Sequence, residues 1–177
     1  GYAIVIGVIF SITSGILFFQ EESGNKGKYA ELIKDNVLYR VIEVLDGDTL
    51  IANVSGKEVT VRLIGIDTPE VVDPRKPVQC YGPQASAKAK EILSNREVYL
   101  EKEKSKGKGN KQYDIYGRVL AYAHLPSGMN YNQFMIENGF AKEYTFNSEK
   151  YKYQKEFKEA HKKAKKEKLG LWGACTT

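Results

Sequence analysis

Three short stretches gather acidic and basic side chains into patterns that could do chemistry. Asp46-Gly47-Asp48-Thr49 sets two carboxylates on either side of a glycine. Arg62-Leu63-Ile64-Gly65-Ile66-Asp67-Thr68-Pro69-Glu70 follows with one guanidinium and two more carboxylates. Asp114-Ile115-Tyr116-Gly117-Arg118 adds a second arginine beside an aromatic ring. Each stretch alone has an ordinary explanation. Asp-Gly is turn chemistry, Thr68-Pro69-Glu70 could cap and start a helix, and a strand arginine is usually solvated. Together they describe a site. Asp48 and Asp67 would offer hard carboxylate oxygens and Thr68 a carbonyl, a set suited to Ca²⁺ or Mg²⁺ and completed by waters or a substrate oxygen. Glu70 is close enough in sequence to act as a base or to position water. Arg62 and Arg118 can fork around a phosphoryl group that gains negative charge. The chemistry implied is phosphodiester hydrolysis. No nucleophilic Ser, Cys or His arrangement competes, and His124 and His161 read as ordinary strand and helix residues.

These residues need strands and turns to hold them. Val37–Val44 and Thr49–Val54 flank the Asp-Gly, which predicts a hairpin. Lys57 to Ile66 alternates Val59, Val61 and Leu63 with Thr60, Arg62 and Ile64, a third strand after the Ser55-Gly56 turn. Gly82-Pro83 opens a helix over Gln84–Leu93. Val98–Glu103 and Arg118–His124 read as two further strands, separated by a Lys/Gly-rich loop, Lys104–Gln112. A short helix over Asn130–Asn138 precedes a longer one from about Glu149 to Lys168, where Tyr153, Phe157, Ala160 and Ala164 recur at helical spacing. Five strands and about three helices fit a small mixed α+β barrel, mainly β. The five-stranded OB-type barrel is the natural candidate, with an SH3-like barrel or an open sheet not distinguished by strand count.

At 177 residues the chain has room for one sizeable core. Its 42% hydrophobic and 28% charged content excludes wholesale disorder and a polytopic membrane protein. The net charge of +5 is unevenly placed. Residues 1–20 carry no charge, and setting them apart with Glu21 and Glu22 leaves a body two charges more basic. Such a body suits an anionic partner, nucleic acid or an acidic membrane surface. Gly1 to Phe19 would span roughly 28 Å as a helix, about one bilayer core. It reads as a signal-peptide core or a membrane anchor. No A-x-A cleavage pattern follows it, which favours the anchor. Residues 21–36 read as linker and 37–177 as the folded domain. Export would put Cys80 and Cys175 where disulfides persist. A bond between them would close a loop worth about 4–5 kcal/mol in the chain-entropy model.

The stretches 44–50, 62–70, 81–86, 116–122 and 168–172, in this order, resemble the staphylococcal-nuclease-like family of thermonucleases from about Val41 to Trp172. That resemblance implies an OB-fold barrel with three helices. The leader, read as signal or anchor, places the domain outside the cell, secreted or tethered to its outer face, and a monomer is expected. The resemblance also implies Ca²⁺-dependent cleavage of DNA and RNA with little sequence preference, breaking P–O5′ and leaving 3′-phosphate ends. Residue by residue, Asp48 and Asp67 match the calcium carboxylates, Thr68 the carbonyl ligand and Asp46 an acid that tunes the site through water. Glu70 matches the general base, Arg62 and Arg118 the phosphate-binding arginines, and Tyr116 a tyrosine at the terminal phosphate. Tyr144, with Phe146, maps onto an aromatic pair that stacks on the base. Ile115 departs from the lysine of the best-known members. The rival readings are an inactive OB-fold module that only binds nucleic acid at the cell surface, and a basic surface that only binds anionic lipid.

Overall fold

The computed structural model describes residues 29–71, 77–103 and 112–175. The apolar run 1–20, the Gly-containing start of the linker and Lys104–Lys111 lie outside them. Helix α1 (Tyr29–Leu32) comes first. Strands β1 (Leu38–Val44), β2 (Thr49–Val54) and β3 (Lys57–Leu63) follow, then the short β4 (Ile66–Asp67). Helix α2 (Gly82–Leu93) leads into β5 (Glu97–Lys102) and β6 (Val119–His124). Helix α3 (Tyr131–Glu137), β7 (Lys142–Glu143), α4 (Gln154–Lys166) and α5 (Leu171–Ala174) complete the order.

Five strands close into a barrel in the order β1-β2-β3-β6-β5, with β5 returning to β1. All neighbours are antiparallel except β3 and β6. This closed, mainly β barrel is the OB-type solution, and closure removes the exposed edges an open sheet would leave. The period-two pattern of β3 buries Val59, Val61 and Leu63 and turns Arg62 to the other face. The same alternation in the hairpin buries Val41, Leu50 and Ala52.

Helices cover the barrel with the faces their spacing dictates. Ala85, Ala89 and Leu93 of α2 are buried, as are Phe157, Ala160 and Ala164 of α4. Helix α3 starts at Asn130, whose side chain accepts from the Gln133 N–H. The two-stranded ladder β4–β7 was not expected from the sequence. Part of the expected linker is also corrected: Ala30 and Ile33 are fully buried in the core, so the folded body begins by Tyr29 rather than at residue 37. Their burial has a physical anchor, since the Ala30 N–H donates to the Tyr113 hydroxyl at 2.6 Å. Among the described residues no helix is long and apolar enough to cross a membrane.

Candidate active site

Asp48 stands where the β1–β2 turn delivers the chain into β2, and it is the hub of the site. Its side chain is 9% exposed. One carboxylate oxygen, Oδ1, accepts from the Thr49 hydroxyl at 3.0 Å. The other, Oδ2, accepts from the Thr68 N–H at 2.9 Å and the Thr68 hydroxyl at 3.1 Å, and lies 3.2 Å from Arg62 Nη2. Three elements therefore meet on one carboxylate: the hairpin turn, strand β3 and the segment after β4. The turn itself is set by Asp46, whose Oδ1 accepts from the Asp48 N–H at 2.9 Å.

Gly47 makes this convergence possible. A Cβ there would lie 2.5 Å from Thr68 Cγ2 and 2.9 Å from Thr68 Cβ, inside any real contact. Only a residue without a side chain lets Thr68 approach the Asp46–Asp48 turn. Below the turn, the fully buried Tyr131 of α3 donates its hydroxyl to the Gly47 carbonyl at 2.8 Å.

Arg62 is heavily engaged. Nη1 donates to the carbonyls of Leu63 and Ile66 at 2.7 and 2.9 Å, while Nη2 reaches Asp67 Oδ1 at 3.7 Å as well as Asp48. The guanidinium thus folds the β3–β4 connection around itself. Gly65, at φ +77°, turns that connection, and Asn132 fixes it by donating to the Ile64 carbonyl at 2.8 Å. Asp67 is left 56% exposed at the rim.

Arg118 immediately precedes β6. Asp114 binds its Nε and also accepts from the backbone N–H groups of Tyr116 and Arg118 at 2.9 Å. Its Nη1 lies 3.4 Å from Thr49 Oγ1, so one hydroxyl touches both Asp48 and the second arginine. The guanidinium also sits 5.4 Å from the Tyr116 ring centre. Tyr116 is 72% exposed and Ile115 more so.

The remaining expected residues lie around this core. The Glu70 N–H donates to Gln79 Oε1 and its carbonyl accepts from the Gln79 N–H, both at 3.0 Å, while Oε1 accepts from the Val71 N–H. Glu70 lies in irregular chain, not in the helix that Thr68-Pro69 could have started. Tyr144, 44% exposed, donates its N–H to the Gly65 carbonyl at 3.0 Å. Cys80 and Cys175 form a disulfide. It borders a cleft of about 190 Å³ shared with Asp67, Pro69, Gln79 and Lys142.

Negative charge dominates the electrostatics. Burial, then the neighbouring Asp48 charge, pushes the Asp46 carboxyl up to about 6. Asp67 is raised by the same two causes in the same order, opposed by Arg62 and Lys142, and Glu70 adds to the rise. The Tyr131 hydroxyl is held well above its ordinary value by burial and by Asp48 and Asp46. The raised carboxyls of Asp46 and Asp67 mark a donor set short of positive charge, and oxygen donors suit a hard divalent ion. Among the described residues no three His, Cys, Asp or Glu side chains gather tightly enough to hold a metal alone. Two carboxylates and the Thr68 carbonyl therefore fit such an ion only with water or substrate oxygens completing the shell.

Sequence reasoning missed Thr49 as the bridge to Arg118, Tyr131 under the turn, and Asn132 behind it. Only Thr49 carried a signal, as the last residue of the Asp-Gly-Asp-Thr motif.

Fold and site together define an OB-type barrel that carries a cluster of carboxylates and arginines on its rim. A family model described as staphylococcal nuclease homologue matches residues 60–174. The chain is 40% identical over 173 residues to a thermonuclease of Staphylococcus hyicus, covering 97% of this chain and 95% of that protein. It is 38% identical over 167 residues to a thermonuclease of Staphylococcus intermedius, covering 93% and 94%. The endonuclease YncB of Bacillus subtilis is 34% identical over 128 residues, covering 72% of this chain and 58% of that protein. The chain belongs to the staphylococcal nuclease homologue family.

Proposed function

We propose that this chain hydrolyses the phosphodiester backbone of DNA and RNA with Ca²⁺ bound at Asp48, Asp67 and the Thr68 carbonyl, leaving 3′-phosphate ends. The nuclease class follows from the family. The observation that supports the finer reading is the Asp48 hub, where a buried carboxylate is clamped between two threonines and Arg62 with Arg118 one hydroxyl away. When bound, the ion supplies charge that stabilises the phosphoryl oxygens. The residues do the rest. Arg62 and Arg118 bind the equatorial phosphoryl oxygens and gain strength as negative charge develops there. Glu70 takes a proton from the attacking water as the water oxygen bonds to phosphorus and P–O5′ breaks. The leaving O5′ takes a proton from solvent and Glu70 returns its own to solvent, so the products are a 3′-phosphate and a 5′-hydroxyl. Tyr116 borders the terminal phosphate, and Tyr144 offers a face for base stacking. Neither role reads base edges, which accords with low sequence preference.

The disulfide between Cys80 and Cys175 supports a working place outside the reducing cytosol, secreted or tethered by residues 1–20. The test is digestion of plasmid and of RNA with Ca²⁺, then with a chelator, for the wild type and Asp48→Asn. Cleavage that requires Ca²⁺ and Asp48, with 3′-phosphate ends, is the expected result. Intact nucleic acid with Ca²⁺ present would leave only a binding module.

A further inference from the structure

A second charged surface lies beside the site, and the cleavage chemistry proposed above draws on none of its lysines. Residues 142–168 contain ten Lys against five Glu. Helix α4 sorts part of that charge onto one face. Lys158, His161, Lys162, Lys165 and Lys166 recur at three- and four-residue spacing and, with Glu143, line an open groove of about 520 Å³. All four lysines are exposed, and among the described residues none has an ion-pair partner. Trp172 lies beside the groove, outside its lining, with Lys165 Nζ 5.3 Å and Lys142 Nζ 5.7 Å from its ring centre and the His161 ring at 4.8 Å.

The groove is joined to the active site through a continuous ladder. Lys142 pairs with Asp67 and Glu143 with Ile66 across β4–β7. The Glu143 N–H donates to His161 Nδ1 at 3.0 Å, which fixes α4 against that ladder. The groove wall therefore begins one residue pair from a proposed metal carboxylate. Successive residues of the ladder face opposite sides, so the link from Asp67 to the groove runs around it through Lys142, Trp172 and His161, which contact one another in turn.

We infer that the α4 groove is an exosite for the sugar–phosphate backbone of the substrate strand, beyond the nucleotides that fill the catalytic site. The inference rests on the nuclease reading above and extends it. The chemistry favours a linear polyanion over a membrane. Membrane-surface helices present large apolar side chains beside their basic ones, whereas this groove is concave and lined by lysines, one histidine and one glutamate. Unpaired lysines on a groove floor neutralise successive phosphates and release counterions without reading bases.

The test compares two triple variants of equal charge change in the full chain. Lys158→Gln/Lys162→Gln/Lys165→Gln removes three of the groove's four lysines. Lys34→Gln/Lys57→Gln/Lys90→Gln removes three exposed lysines outside α4. Glutamine keeps helix propensity, so both should fold, and melting temperature checks this. Binding of a long single-stranded oligonucleotide is measured in chelator against salt concentration, and turnover of a dinucleotide is measured with Ca²⁺. The groove variant should bind the long strand about tenfold more weakly and lose about two from the slope of log affinity on log salt, while the control keeps both. Dinucleotide turnover should be unchanged in both. Equal losses in the two variants, or none in either, would overturn the exosite. So would loss of binding to phosphatidylserine vesicles with strand binding intact, which would assign the groove to lipid. Failure of the wild type to cleave would sink the nuclease reading, yet the binding comparison in chelator would still stand.

Discussion

Arg62 and Arg118 share a formal role but not a structural one. Arg118 is held by Asp114 at its Nε edge and rests on Tyr116. Replacing it by lysine keeps the charge and loses the fork, so kcat should fall by about 10²–10³-fold with the melting temperature little changed. Arg62 also folds the backbone through the Leu63 and Ile66 carbonyls. Arg62→Lys should therefore lose activity and melting temperature together, and thermal melts beside steady-state kinetics separate the two cases. Wild-type turnover in either variant would refute the transition-state assignment. Thr49→Val tests the bridge. It preserves the β-branched shape, removes the hydroxyl that touches Asp48 and Arg118, and should reduce kcat by about tenfold, an interaction worth roughly 1.4 kcal/mol in the transition state. The charged members of the site were legible because chemistry restricts which residue types can serve. Thr49, Tyr131 and Asn132 were not, because a hydroxyl or amide that only orients another group has no distinctive type or spacing.

The hairpin turn and the β4–β7 ladder position the site at the scale of elements. Gly47→Ala would put a methyl 2.5 Å from Thr68 and push it off Asp48. We expect a loss of about 1–3 kcal/mol in urea unfolding from such overpacking, and a parallel loss of calcium-induced stabilisation. The five barrel strands were readable from alternation. The ladder was not, since two residues show no period, and its pairing of Asp67 with Lys142 joins segments far apart in sequence. The junction of that ladder with α4 has its own pH signature. Burial holds the His161 imidazole below its ordinary value of 6.5, helped by Lys165 and Lys142 and opposed by Glu143. Its neutral Nδ1 accepts from the Glu143 N–H. The folded state thus binds this proton less readily than the unfolded chain. Stability is fully present above pH 6.5 and declines as pH falls below it. His161→Gln retains an acceptor that does not titrate, so melting temperature followed from pH 7.5 to 5 should show a shallower fall than the wild type's.

The whole molecule is closed by the bond between Cys80 and Cys175, 95 positions apart. Gln79, next to Cys80, pairs twice with the Glu70 backbone, so the same bond that restrains the unfolded chain also braces the proposed base. Cys80→Ser/Cys175→Ser should lower stability to urea by up to about 4–5 kcal/mol. It should also reduce kcat at temperatures where the variant remains folded. A variant with lower stability and unchanged kcat would show that the bond acts only on the unfolded chain. The pairing could be anticipated from an apolar leader and two cysteines. The brace could not, because nothing in sequence marks Gln79 as the partner of Glu70.

That bond also sets a clock. At about 5–20 residues per second, synthesis places Cys175 roughly 5–20 s after Cys80. The strands that carry Asp48, Arg62 and Asp67 are complete before the brace on Glu70 can exist. In a compartment that keeps thiols reduced, the interval does not end. A chain that stays reduced would work with its proposed base unbraced, the state the double-serine variant reproduces.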